Sequence, residues 1–172
     1  MVEYGLESAG SRDRDRGPGG TWGRVQRKSM VTEGEIMVAA GAVIENEEDR
    51  ILLVRHVPER GGFWQGKWIC PGGRVQLGET IEEAVLREVR EETQLEITLI
   101  SLLPPFERIV KSRGRTELHV VYIDYLAKLA SGEFRPGSDV GEGVWVSRDE
   151  IPNIWDELHE DTQRLLEIAK MV

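Results

Sequence analysis

Residues 73–95 read GRVQLGETIEEAVLREVREETQL, and the chain enters them through a Pro71-Gly72-Gly73 turn. Thr80 and Glu83 stand three apart, the spacing of a capping box. In that arrangement the threonine oxygen accepts a free backbone N–H of the first turn, and the glutamate reaches back to the cap. From Thr80 to Thr93 the apolar residues Ile81, Ala84, Val85, Leu86 and Val89 recur at steps of three and four. They give one buried stripe, so the spacing predicts a helix over 80–93. At about 100° per residue, Glu88, Glu91 and Glu92 then share about a third of the helix circumference.

Carboxylates three and four apart on an exposed helix repel by a few tenths of a kcal/mol per pair, and most acidic faces are simply solvated. A hard divalent cation reverses the sign of that interaction. Mg2+ takes a few carboxylate oxygens, keeps several waters and bridges substrate phosphates. Glu79 lies just ahead of the cap and can approach the same place from the loop, while Arg87 can pair with Glu83 or Glu91. Gly72 and Gly73 permit close backbone approach, as phosphate and metal sites require. The turn, the cap and the carboxylates at fixed offsets favour a cation site over a plain acidic face.

The segment resembles the Nudix box, G-x5-E-x7-R-E-U-x-E-E-x-G-U with U aliphatic. Gly73, Glu79, Arg87, Glu88, Val89, Glu91, Glu92 and Leu95 all match. The resemblance implies a Mg2+-dependent enzyme, with Mn2+ as a substitute, that cleaves phosphoanhydride bonds on an α/β/α sandwich with a mixed β-sheet between helices. Carried over residue by residue, it implies metal ligation by Glu88, Glu92, Glu91 and Glu79, with the Gly73 backbone carbonyl as a further ligand. Catalytic roles fall to Glu88, Glu91, Glu92 and Arg87. Family members often add an acid from a loop outside the box. Here PGSDVGEG, residues 136–143, offers Asp139 and Glu142, of which Glu142 is the preferred candidate, and Glu107 is a third. One position departs: Gln94 stands where the family has glycine. A left-handed helix end costs a non-glycine residue about 1–2 kcal/mol, so either Gln94 bears that strain or the helix ends differently.

The 172 residues suit one domain with a sizeable core. A formal net charge of −9 argues against a nucleic-acid backbone as partner and makes a neutralising cation at phosphates more necessary. Cys70 is the one cysteine, which fits a reducing interior, and no apolar run reaches membrane-spanning length; the cytoplasm is the expected location. Residues 1–33, containing SRDRDRGPGG, have the composition of a disordered tail, which leaves 34–172 as the folded domain.

Strands are expected at Ile36 to Glu45 and Ile51 to Val54, joined by a polar turn at Glu47-Glu48-Asp49. Further strands are expected at Glu96 to Leu103, Phe106 to Ser112 and Glu117 to Leu126, with a hairpin at Gly114. A short strand at Val144-Trp145-Val146 and an amphipathic helix from Trp155 to Lys170 complete the pattern.

Phe63, Trp64 and Trp68 precede the glycine turn. A ring there can stack on a nucleobase, with Phe63 and Trp64 the candidates and Trp68 a core residue. Gly72 and Arg55 join them as candidate substrate contacts, since arginine's fork suits phosphate. His56, His119 and His159 show no metal-ligand spacing in the sequence. The WxxxWxxPGG approach, Trp64 to Gly73, resembles ADP-ribose pyrophosphatases; a small nucleotide is the expected substrate and a homodimer the expected assembly. The alternatives are a (d)NTP pyrophosphohydrolase of the nucleotide pool and a non-catalytic nucleotide sensor. An isoprenyl diphosphate isomerase would need a catalytic cysteine, for which Cys70 is badly placed.

Overall fold

The computed structural model describes residues 36–172. The tail proposed for residues 1–33 lies outside them. Seven strands form one mixed sheet: β1 (Met37–Glu45), β2 (Arg50–His56), β3 (Gly72–Arg74), β4 (Glu96–Leu102), β5 (Phe106–Ser112), β6 (Arg115–Ser131) and β7 (Val140–Ser147). The long β6 is the spine. It runs parallel to β1, with Met37 opposite Val120 and Glu45 opposite Lys128. Its other edge is shared by β5 along its first half and β4 along its second, both antiparallel.

Helix α1 (Ile81–Thr93) covers one face of the sheet, and α2 (Glu160–Ile168) covers the other. Alternation along the strands separates the two cores. Ala40, Ala42, Ile44, Leu52 and Val54 pack with Ala84, Val85 and Val89 of α1. Val43, Ile51 and Leu53 point the other way, onto Ile151, Leu158, Leu165 and Leu166. This is the α/β/α layering expected from the sequence. Among the described residues, no helix is long and apolar enough to cross a membrane.

Strands β1 and β2 meet only near their turn, where Glu45 opposes Ile51, and then diverge. The segment 69–74 fills the wedge between them. Ile69 bridges to Val54, the Ala42 amide donates to Pro71 O at 3.0 Å, and β3 pairs antiparallel with β1, with Gly73 opposite Ala40. Two glycines make this insertion fit. A methyl group on Gly72 would lie 2.6 Å from the Gly41 Cα, and one on Gly41 would lie 2.7 Å from Pro71 O. The turn is therefore locked to the sheet ahead of the connection, residues 75–80, that leads into α1.

Strand β3 was not among the expected strands, and β6 runs to Ser131 rather than Leu126; two further differences concern the terminal helix and β7. The chain from Trp155 onward is not one helix: a 3-10 segment (Ile151–Glu157) ends at Leu158, and α2 starts only at Glu160. The break is made by Trp68, whose amide donates to Glu157 O and whose carbonyl accepts from His159 N, each at 3.0 Å. A helical path would deny Trp68 those partners. Strand β7 is also longer than the apolar triplet alone, since Val140 to Gly143 already pairs with β2.

Candidate active site at the turn between β3 and α1

Helix α1 begins as the sequence dictates. The Thr80 side chain accepts from the Glu83 amide at 3.2 Å, and Glu83 accepts from the Thr80 amide at 2.7 Å. It ends at Gln94 in the left-handed region, φ 59° and ψ 21°, with the Gln94 amide on Arg90 O. Gln94 thus adopts the conformation that glycine would take there and bears its strain.

Between these ends, Arg87 gathers three carboxylates. Its Nε and one terminal nitrogen donate to both oxygens of Glu79, at 2.9 and 2.7 Å. The other terminal nitrogen donates to Glu88 at 2.7 Å and to Glu91 at 3.2 Å. A further bond to the Arg74 carbonyl, 3.1 Å long, ties the cluster to the end of β3. Glu79 also accepts from the Gln76 amide at 2.6 Å. The Arg87 bonds, then that amide, hold its carboxyl down to about pKa 2. Both Glu79 oxygens are occupied, and it acts here as the clasp that fixes Arg87.

Glu88 differs. Burial raises its pKa, opposed by Arg87 and reinforced by Glu92 and Glu91. Its carboxyl lies flat against Gly73, where a methyl group would sit 2.5 and 2.6 Å from its two oxygens. Only glycine at position 73 leaves that space open. Glu92 is buried, 3% exposed, and accepts from the Gly72 amide at 3.0 Å. Glu91 is half exposed at the rim. Glu88 and Glu92 thus converge on the Gly72–Gly73 backbone, with Arg87 and Glu79 behind them.

The acid from outside the box that reaches this cluster is Asp139. Its Oδ1 lies 4.0 Å from His56 Nε2, which is 3.5 Å from Glu92 Oε1. Glu142 instead pairs with Arg55 at 3.3 Å, and Glu107 with His119 at 3.2 Å on β5 and β6. Two bonds dock the Asp139 loop, Gly137 N to Glu92 O at 3.0 Å and Val57 N to Asp139 O at 2.8 Å. Arg60 contacts Asp139 as well. His56 was not legible as a site residue: it stands on β2, far in sequence from Glu92 and Asp139, and only the fold joins them.

Among the aromatic and basic candidates, Arg55 lies 4.0 Å over the Trp68 ring and pairs with Glu142 and Glu157, both at 3.3 Å. Trp64 donates to Tyr122 Oη at 3.2 Å and Asp161 Oδ2 at 3.3 Å, and meets Phe63 edge-on. Phe63 is exposed. Trp68 packs in the core on the α2 side.

The chain that carries this arginine-clasped row of glutamates resembles known proteins. Residues 35–166 match the model of the NUDIX domain. The chain belongs to the Nudix hydrolase family. Nudix hydrolases act on pyrophosphate bonds. The chain is 33% identical over 118 residues to an "ADP-ribose pyrophosphatase" of Methanocaldococcus jannaschii, covering 68% of this chain and 65% of that protein. It is 31% identical over 115 residues to an "8-oxo-dGDP phosphatase" of Mus musculus, covering 64% of this chain and 32% of that one. The alignments thus span less than two thirds of either relative. The crystal structure of a MutT Nudix hydrolase from Burkholderia pseudomallei superposes with a TM-score of 0.66 at 31% identity, covering 78% of this chain and 98% of that one.

Proposed function

We propose that this Nudix protein is a divalent-cation-dependent pyrophosphohydrolase that cuts the diphosphate bridge of a nucleoside diphosphate joined to another moiety, with ADP-ribose the favoured substrate. The observation that carries the reading is the convergence of Glu88 and Glu92 on the Gly72–Gly73 turn. The name of the Methanocaldococcus relative supports the substrate.

The donor set fits a hard cation. Buried carboxylates, and a glycine that leaves room beside one of them, are assembled around one backbone turn. Glu88 and Glu92 would hold the divalent cation, Mg2+ or Mn2+, assisted by Glu91, Asp139 and the Gly73 carbonyl. A bound cation of this kind neutralises the bridging phosphates and acidifies a water. Arg87 fixes Oε1 of Glu88, which makes Oε2 the oxygen to accept a proton from the attacking water. Glu79 keeps Arg87 oriented, so its role is in positioning. Phe63 offers its exposed ring to a base.

The same reading takes the folded domain as residues 34–172, the location as cytoplasmic, nucleic acid as no partner and the assembly as a homodimer. A second reading, hydrolysis of oxidised or ordinary nucleotides of the pool, is favoured by the name of the mouse relative, an 8-oxo-dGDP phosphatase. The test is a substrate panel with Mg2+, products resolved by chromatography. Turnover of ADP-ribose to AMP and ribose 5-phosphate supports the first reading, and turnover confined to 8-oxo-dGDP, 8-oxo-dGTP or dNTPs supports the second.

A further inference from the structure

His56 is buried, its side chain 3% exposed, and neither ring nitrogen has a hydrogen-bond partner. Leaving a polar group so placed carries a desolvation penalty, which calls for a compensating role. Its surroundings suggest one. Nε2 lies 3.5 Å from Glu92 Oε1 and 4.0 Å from Asp139 Oδ1, too far for strong hydrogen bonds. The three ligand atoms lie within 4.8 Å of one another. A cation about 2.1 Å from each ligand holds neighbouring ligand atoms about 3 Å apart and opposed ones about 4.2 Å apart. The two separations from His56 Nε2, 3.5 and 4.0 Å, fall in that range before any side chain moves, and the Glu92–Asp139 pair, within 4.8 Å, needs only a small approach.

The chain builds this spacing by three separate devices. A register shift between Arg55 and His56 puts His56 opposite Val140, so the end of β2 is re-aimed. Glu92 is fixed by the Gly72 amide through its other oxygen. Asp139 sits in a loop bonded both to Val57, next to His56, and through Gly137 to Glu92 itself. A methyl group on Gly137 would collide with the Glu91 carbonyl, so this docking depends on glycine.

We propose that His56 is the nitrogen donor of a mixed-ligand cation site completed by Glu92 and Asp139, and that this site takes a divalent transition ion of the Mn2+ class in preference to Mg2+. The inference rests on the metal-dependent reading above and specifies the cation. Mg2+ favours all-oxygen surroundings and gives up water reluctantly, whereas imidazole suits the transition ions. Arg60, which supplies positive charge to Asp139 in this structure, is the competitor: it gives up that contact when the cation enters.

The test uses the full chain with Mn2+ alone, read by electron paramagnetic resonance. Mn2+ binding removes the six-line signal of the free ion, and an imidazole ligand adds 14N modulation to the echo decay. The expected result is modulation in the wild type that changes character when histidine is labelled with 15N, disappears in His56→Asn and persists in His119→Asn. His56→Asn weakens Mn2+ binding about tenfold but Mg2+ binding less than about threefold, while Arg60→Met strengthens Mn2+ binding. The labelled wild type needs no variant to fold. Bound Mn2+ without imidazole coupling, or coupling retained in His56→Asn, overturns the proposal and leaves the hydrolase reading intact. An unchanged free-ion signal at millimolar protein overturns both.

Discussion

The Gly72 amide donates to Glu92 Oε2 at 3.0 Å, joining the turn before the helix to a carboxylate twenty residues further along the chain. This bond, with the packing of Ala84, Val85 and Val89 on β1 and β2, holds α1 against the wedge in the sheet. Glu88, one helical turn before Glu92, is thereby pressed against Gly73. The spacing of the box glutamates matters because this bond gives them a common origin.

A first prediction follows at Gly73. Gly73→Ala puts a methyl group where the Glu88 carboxyl lies, so the carboxyl must leave the turn. Misplacing a reacting group by about 1 Å costs about 100-fold in rate. Hydrolysis should fall by at least that factor, while circular dichroism and thermal midpoint change little, since the β3–β1 pairing uses backbone only. Near-wild-type turnover would separate Glu88 from the chemistry.

Gln94→Gly should stabilise the protein. The left-handed conformation of Gln94 costs about 1–2 kcal/mol, part of which glycine's greater freedom in the unfolded chain takes back. A net gain of about 1 kcal/mol in chemical denaturation is expected, with unchanged kcat/KM. Lost activity would instead tie Gln94 to the site.

Asp124 sets a pH dependence of stability. It stands on β6 beside Gly41, buried, its carboxyl pushed up to about pKa 7 by burial first and by Asp161 second, against a hydrogen bond from the Gly41 backbone. Its folded pKa is above its unfolded value, so its contribution is fully present below about pH 4 and is lost as pH rises through about 7. Asp124→Asn should leave stability at pH 4 nearly unchanged and raise it increasingly up to pH 8. Parallel pH profiles for the two proteins would show Asp124 to be solvated.

Helix α1 was legible in detail because its determinants are local: the Thr80–Glu83 box, the apolar stripe and the glutamates all lie within one helix. The hairpin at Gly114 was legible for the same reason, with Arg113 and Gly114 both at positive φ. The long terminal helix was not, because Trp68, far back in the chain, takes the backbone groups that would have continued it. The site divides similarly. The shared face of Glu88 and Glu92 could be read from spacing, whereas only the pairing of β7 with β2 shows that Glu142 meets Arg55 while Asp139 lies on the side of His56 and Glu92. His56 could be found only in three dimensions, since nothing in its neighbourhood along the chain pairs it with an acid.

Cleavage of the diphosphate bridge is read by incubating wild type and Glu88→Gln with ADP-ribose and Mg2+ in 18O-enriched water and weighing the products by mass spectrometry. A hydrolase releases AMP and ribose 5-phosphate in equal amounts, with one 18O per cleavage. Turnover should depend on the divalent ion and run about 1,000-fold slower in Glu88→Gln, within the range for losing a general base. A folded wild type that binds the nucleotide but releases no product from it, or from any other member of the panel, would contradict the account and make this chain a sensor on a hydrolase fold.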